Sequence, residues 1–424
     1  MITGVPTIPL ASLVTSQPAL AQSLTSVRYG EVPLVEISGF TPLIPGPGTV
    51  ESVSARAGLV SEALPTLDSA RGGLALAVAR QGGRFRIVPH NQGLLWTLTC
   101  LTDGWTGLLC HLSETMAHAT GDPDGLARHA EVITARAAED QYDHSAVAAA
   151  AVRRMLSNNQ AADFAPSLTH SDTELAVQLL NGERLITALD MRRACFTAVG
   201  SIDAHSAMSA LTDFTTALTK TDTDMTAQCS TPESLRASGR WQRINVGGGE
   251  STCVRAAWAV PGRSAAEHAA LYAAHLVLGG GYGARLMQRF RESLRWSYSP
   301  WSNFHHYAAY SLLEVNIDVP TRHRQAAEQI LMEEVERLRT ERVPDAELRR
   351  VVAHACGTLA ASLASQSGLA AMLTHVQSLG LPYDWLWNWP GNLRAVTPAQ
   401  VLQVAQDWLH PDRAAGATVG PVTS

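Results

Sequence analysis

The sequence predicts an α+β protein built of two comparable units, and three observations carry this. The chain has 424 residues and 45.3 kDa, more than one ordinary hydrophobic core accommodates, so two large units are expected. Strand-like runs and long helical patterns are mixed in both halves. Two stretches of the first half also return in the second: Pro123-Asp124 before LARHAEV resembles Pro344-Asp345 before ELRRVVA, and TAVG at 197–200 resembles ATVG at 417–420. Two copies of one unit explain both matches, with chance similarity in an Ala-rich chain as the competing account.

In the first half, residues 27–60 alternate short apolar runs with Pro and Gly, which predicts short strands and turns. A helical pattern follows over 63–79 and stops at Gly82-Gly83. FRIV and LLWTLTCL predict a strand pair around the turn PHNQG. Helices are expected over 107–119 and 124–156, the second opened by Asp122 as cap and Pro123 in the first turn. ACFTAVG (194–200) reads as a buried strand and 203–218 as a helix. The run 219–240, rich in Thr, Ser, Asp and Gln, has no periodicity, so the division expected is 1–222, a linker over 223–240, and 241–424.

The second half begins with RINV and TCVRAAWAV on either side of Gly247-Gly248-Gly249, then a helix over 265–278. LGGGYGARLMQRFRESLRWSYS follows: a glycine break, a helix carrying Arg285, Arg289, Arg291 and Arg295, and a strand from about Trp296. WSYSPWSNF and SLLEVNIDV read as strands, 322–339, 345–378 and 398–409 as helices, and GATVG as the closing strand.

Composition excludes several function classes. Hydrophobic content of 46% with 17% charged residues describes a globular protein with large cores. A net charge of −6 and a pI near 6.2 argue against nucleic-acid binding. No apolar run reaches the roughly 18–20 residues of a membrane span. Six cysteines, none in C-x-x-C, fit a reduced, cytoplasmic chain. Ala19-Leu20-Ala21 imitates a signal-peptide cleavage site, but no basic residue precedes it and Pro6 and Pro9 break the apolar run, so an ordinary N-terminus is expected.

Helical zinc-peptidase motifs put two histidines at i and i+4 so that both face one ion. None of the fifteen histidines has a partner four residues away. His111, Glu114 and His118, at i, i+3 and i+7, share a helix face but would need further ligands. His305 and His306 point to opposite faces of a strand. No G-x-S-x-G elbow is present, and GGGYG is not followed by Gly-Lys-Ser/Thr, so neither a serine nucleophile nor a phosphate loop is supported. Arg291 and Tyr298 can converge beside the sheet edge, where a guanidinium and a phenol donate to a peptide carbonyl or a developing oxyanion. The competing reading pairs Arg291 with Glu292 or Glu250 and lays Tyr298 over the sheet. On these residues alone it has the advantage, because surface arginines are common.

From about Arg243 to Gly420 the sequence resembles the second domain of the pitrilysin/insulinase family of zinc peptidases, which includes the mitochondrial processing peptidase. The residues that carry this are LGGGYGARLMQRFRESLRWSYS, SLLEVNIDVP, VPDAELRRVVAHACGTLAASL, LGLP at 379–382 and AVTPAQVLQVAQDWLHPDR. The first half is similar to the companion domain in outline, through GGRFRIV with LLWTLTCL, DPDGLARHAEVITARAAED and CFTAVGSID. The resemblance implies two homologous α/β-sandwich domains, each a mostly antiparallel sheet covered by helices.

It also implies that Arg291 and Tyr298 hold the substrate backbone; Gly279, Gly280, Gly281, Tyr282 and Gly283 are expected to form a mobile substrate-binding loop beside them, because glycine runs permit conformations other residues resist. The family's inverted His-x-x-Glu-His motif is missing: where the early helix is expected, the chain reads EALPTLDSARGGLALAVARQGG. Near Glu131, where the downstream acidic ligand belongs, it reads ITARAAED, so Glu131 is not assigned. The implied protein is a non-catalytic, bacterial subunit that binds no metal itself and pairs with a homologous zinc-bearing His-x-x-Glu-His subunit to cleave peptides. The alternatives are a catalytically inactive scaffold of the same fold, and a self-sufficient metal enzyme using His111 and His118.

Overall fold

The structure is a computed structural model and describes residues 13–16, 22–44, 50–67, 73–90, 93–157, 170–219, 239–247 and 249–421. Most of the expected linker, 223–238, lies outside the described residues. In chain order the first half runs β1 (Leu13–Ser16), β2 (Ser23–Arg28), β3 (Leu34–Pro42), α1 (Val50–Ala63), α2 (Leu74–Arg80), β4 (Arg84–His90), β5 (Gly93–Leu101), α3 (Trp105–His118), α4 (Pro123–Asp140), α5 (His144–Ser157), α6 (His170–Leu180), β6 (Cys195–Gly200) and α7 (Ala204–Thr219). The second runs β7 (Trp241–Asn245), β8 (Ser251–Pro261), α8 (His268–Leu278), a π-helix (Met287–Ser293), β9 (Trp301–His306), β10 (Tyr310–Pro320), α9 (Arg324–Thr340), α10 (Asp345–Leu363), α11 (Gln366–Ser378), α12 (Trp385–Arg394), α13 (Pro398–Trp408) and β11 (Ala415–Gly420).

Two sheets result. The first has the order β1-β2-β6-β3-β5-β4, the second β7-β11-β8-β10-β9. In the first, β2 and β6 are parallel and the other neighbours antiparallel. In the second, β7 and β11 are parallel and the rest antiparallel. Without β1 the two orders correspond strand for strand, with the last strand of each half inserted between the first two. The α+β class and the duplicated unit expected from the sequence are both borne out, and TAVG and ATVG occupy equivalent strands, each buried along its whole length.

The first unit takes Met1–Arg136, Ala162–Cys229 and Leu359–Tyr383, the second Ala137–Ala161, Ser230–Thr358 and Asp384–Ser424. Each therefore includes a helix from the opposite half of the sequence. In the first unit α11 covers β3 and β6, where the Thr374 hydroxyl donates to the Ser38 carbonyl at 3.1 Å. In the second unit α5 covers β8 and β11, burying Ala148 and Val152 against Cys253, Ala257 and Ala417. Arg153 of α5 also reaches the fully buried Glu314 on β10 at 2.8 Å, and Arg255 on β8 pairs with the other carboxylate oxygen at 2.9 Å.

Several boundaries differ from the sequence reading. The early helix is α1, beginning at Val50 in a stretch read as strands and turns, and the pattern over 63–79 is interrupted at Pro65, which has no amide proton to donate. The helix expected over 124–156 is two, because Asp143 accepts from the Ser145 amide at 2.8 Å and starts α5 afresh. Ser365 does the same between α10 and α11, accepting from Gly368 at 3.0 Å. The sequence reading missed α12, which tolerates Pro390 in its interior. RINV and TCVRAAWAV fall in β7 and β8 as expected, with β11 inserted between them in the sheet. The strand expected from Trp296 begins only at Trp301.

Candidate functional site

The candidate site is built between the end of α8 and the start of β9. The apolar run of α8 buries Leu271, Leu276, Val277 and Leu278, and the helix stops at Gly279, whose amide donates to the His275 carbonyl at 2.9 Å. Ser302 of β9 then clips the loop, its amide donating to the Gly279 carbonyl at 3.0 Å and its hydroxyl lying 2.8 Å from His275 Nδ1. A Cβ on Gly279 would come within 2.6 Å of the Ser302 amide nitrogen, so this approach requires glycine. At the far end of the loop Arg350 of α10 donates to the Gly283 carbonyl at 2.9 Å, and a Cβ on Gly283 would run into that guanidinium. Between these anchors Tyr282 is 80% exposed.

The next helical segment widens into a π-helix over Met287–Ser293, seated by the buried Met287 and Phe290. The Leu294 amide reaches back five residues to the Arg289 carbonyl at 3.0 Å, which closes the wide turn. Arg295 then adopts φ 55°, the left-handed region, and is the one non-glycine residue to do so among the described residues. This turns the chain so that both Trp296 and Ser297 donate to the Phe290 carbonyl, at 2.9 and 3.3 Å. Trp296 stacks on His323 with ring centres 4.0 Å apart and planes 5° from parallel. Arg295 is thus not helical, and Tyr298 lies on an irregular segment rather than on a strand: the amides of 296 and 297 are turned to Phe290.

Arg291 and Tyr298 nevertheless meet. The guanidinium carbon of Arg291 is 4.8 Å from the Tyr298 ring centre and 5.9 Å from that of Tyr282. Tyr298 is 82% exposed and the Arg291 side chain 33%. Glu292 offers a carboxylate oxygen 3.5 Å from Arg291 Nε, an exposed pair of small energetic weight. The cluster consists of a planar donor fork against two solvent-facing phenols, a geometry that offers several hydrogen-bond donors to a backbone carbonyl. Gly279–Gly283 borders it through Tyr282. Sequence reasoning missed the two supports of this site, the Trp296–His323 stack and the Arg350 clip, because both join segments far apart in the chain.

The histidines do not form a metal centre. His111, Glu114, His118 and His129 line one cleft of about 750 Å³ in the first unit. His129 lies 3.4 Å from the Thr66 hydroxyl, and burial lowers its pKa. Among the described residues no three His, Cys, Asp or Glu side chains are placed to hold an ion. α1, the early helix, contains no histidine. A zinc ion of the kind the family resemblance implies therefore does not fit the side chains described.

Comparisons with known proteins bear on the fold. No curated protein matches the sequence. Among solved structures, the peptidase M16 inactive domain from Pseudomonas fluorescens is similar at TM-score 0.84 and 17% identity, covering 97% of this chain and 99% of that one. A protease from Helicobacter pylori is similar at TM-score 0.82 and 14% identity, covering 96% and 99%. The periplasmic protease PqqL from Escherichia coli is similar at TM-score 0.72 and 14% identity, covering 95% of this chain but 44% of that one. At these identities the structures show a shared fold. Residues 190–354, which include the glycine loop, Arg291 and Tyr298, match the family model for the peptidase M16 inactive domain. Over residues 190–354 the chain is similar to the peptidase M16 inactive domain, and over nearly its whole length it shares the fold of these structures.

Proposed function

We propose that this protein is the non-catalytic subunit of a heterodimeric zinc metallopeptidase, binding a peptide substrate and supplying transition-state contacts to a partner's zinc site. One observation carries the reading: Arg291 is held against two exposed tyrosines, Tyr282 on the loop fixed by Ser302 and Arg350 and Tyr298 on the segment that follows Arg295, in a chain whose described histidines and carboxylates form no metal centre. Holding a partly exposed guanidinium against two rings costs side-chain entropy, which contacts with a bound ligand would offset. Arg291 and Tyr298 donate to the scissile carbonyl and to the oxyanion it becomes, while Gly279, Gly280, Gly281, Tyr282 and Gly283 line the substrate's path. The zinc and the general base come from a homologous His-x-x-Glu-His subunit.

The match to PqqL supports pairing of this kind, since its uncovered length leaves room for a further segment of this size in one chain. Among the described residues no helix is long and apolar enough to cross a membrane. Among the described residues the cysteines form no disulfide, which is compatible with the reducing, cytoplasmic setting expected from the cysteine spacing.

Affinity capture with this chain as bait, followed by peptide hydrolysis assays with each chain alone and both together, tests the proposal. It requires a zinc-bearing M16 partner and activity that appears only in the mixture. A scaffold role would instead give a stable complex that hydrolyses nothing.

A further inference from the structure

A second cleft in the same unit, of about 680 Å³, begins on the π-helix and is not used by the proposed carbonyl contacts. Five arginines line it: Arg285, Arg289, Arg337, Arg342 and Arg350. Three carboxylates, Glu334, Glu341 and Glu347, line it too, and all are taken up internally. Arg285, almost wholly buried, grips Glu347 through two bonds of 3.1 Å, and Arg337 pairs with Glu334 at 3.0 Å and Glu341 at 3.5 Å. The excess falls on the others. Among the described residues Arg289 and Arg342 make no ion pair, and Arg350 spends Nη2 on the Gly283 carbonyl. Arg285 Nη1 is buried with no hydrogen-bond partner, so even the cleft's most enclosed guanidinium keeps an unspent donor.

A local excess of positive charge on a chain of net charge −6 is not explained by overall composition. Its layout selects the ligand. The guanidinia come from separate segments, the π-helix, α9, the turn after it and α10, so the charge is spread rather than focused on one point. The internal carboxylates would repel a compact, multiply charged anion such as phosphate. Single carboxylates spaced along an extended chain avoid them and meet the guanidinium forks in the geometry these prefer.

We propose that this cleft binds an acidic stretch of the peptide substrate, with Arg289 and Arg342 receiving its Asp or Glu side chains. The proposal deepens the peptide-binding reading and rests on it. Selectivity for acidic segments then comes from this cleft, and the carbonyl contacts come from Arg291 and Tyr298.

The test uses fluorescence anisotropy on the purified full chain, with a short labelled peptide carrying several Asp residues and its Asn twin. The acidic peptide should bind about tenfold more tightly at low salt, as two or three partly screened charge pairs allow. The double variant Arg289→Gln/Arg342→Gln should lose that preference. Both side chains are exposed, so the fold should survive, which an unchanged thermal midpoint verifies. Arg243→Gln, at an exposed arginine on β7 that does not line the cleft, should leave the acid-over-amide ratio intact. Equal affinities for the two peptides, no binding of either, a preference that survives the double variant, or displacement by stoichiometric inorganic phosphate would each overturn the proposal. None of these outcomes decides the carbonyl-binding role, which is read from turnover of the reconstituted pair.

Discussion

The Arg291 guanidinium lies 4.8 Å from the centre of the Tyr298 ring, although six residues, with a left-handed turn at Arg295 among them, separate the two. Two devices bring this about. The π-helix advances the chain five residues per hydrogen bond at its exit, and the positive φ at Arg295 redirects it onto the Phe290 carbonyl. The Trp296–His323 stack then fixes the segment that presents Tyr298. Arg295→Gly should relieve the left-handed strain and raise stability by about 1 kcal/mol, measured by urea unfolding. Trp296→Ala should act on the site, lowering turnover of the reconstituted pair without weakening its assembly. If Trp296→Ala leaves turnover unaltered, the stack does not position Tyr298.

The glycine loop makes a graded prediction. A methyl group on Gly279 would meet the Ser302 backbone, whereas on Gly281 it would sit at an ordinary 3.5 Å from His354. Gly279→Ala should therefore cost about 1–3 kcal/mol, and Gly281→Ala much less. Thermal unfolding of the two variants checks the order, and equal midpoints would show that the loop is not clipped to β9 as described.

The buried Glu314 makes the docking of α5 an electrostatic matter. Burial by itself would raise its pKa. The His305 hydrogen bond and the charges of Arg153, His305 and Arg255 more than reverse this, and hold the carboxyl well below its usual range. A depressed carboxylate contributes stability above its unfolded pKa of about 4.3 and loses it as pH falls through the folded value. Glu314→Gln should thus destabilise the protein by about 3–5 kcal/mol at neutral pH, by leaving buried guanidinia unpaired. Denaturant unfolding at pH 7 measures this, and a loss below about 1 kcal/mol would contradict it.

Two histidines set the response to mild acid. Burial, then the charges of Arg263 and His275, lowers His268 to about 3, and burial lowers His275 to about 4. Both stay neutral in the folded protein while the unfolded chain takes up protons below about 6.5. Stability should therefore fall as pH drops from 6.5 toward 4, by up to about 1.4 kcal/mol per pH unit for each histidine. Neither His268 ring nitrogen has a hydrogen-bond partner, and the ring packs among Tyr272, Phe304 and Trp389. His268→Phe should flatten the pH dependence and cost little at pH 7.5. An unchanged slope would show that His268 does not carry it.

How much of this the sequence disclosed depended on the range of the forces involved. Buried strands with uniform apolar character were legible: CFTAVG and GATVG stand where their patterns put them, and FRIV pairs with LLWTLTCL in register. Helix interruptions at Asp143 and Ser365 were missed because periodicity continues across them, although both residues are good caps. α1 was hidden behind Pro45, Gly46, Pro47 and Gly48, and α12 by Pro390. Within the site, Gly279–Gly283, Arg291 and Tyr298 were all readable as residue types in order. The π-helix, the turn at Arg295 and the stack of Trp296 on His323 leave no periodic mark, so the strand expected for Tyr298 was misplaced.

The central claim is that Arg291 and Tyr298 act on substrate bound at a partner's zinc site. Steady-state turnover of the reconstituted pair tests it most directly, with complex formation followed by size-exclusion chromatography. Arg291→Ala should lower kcat about a hundredfold, and Tyr298→Phe by a smaller factor, with the complex intact in both. Turnover that is unchanged in both variants would remove the assignment.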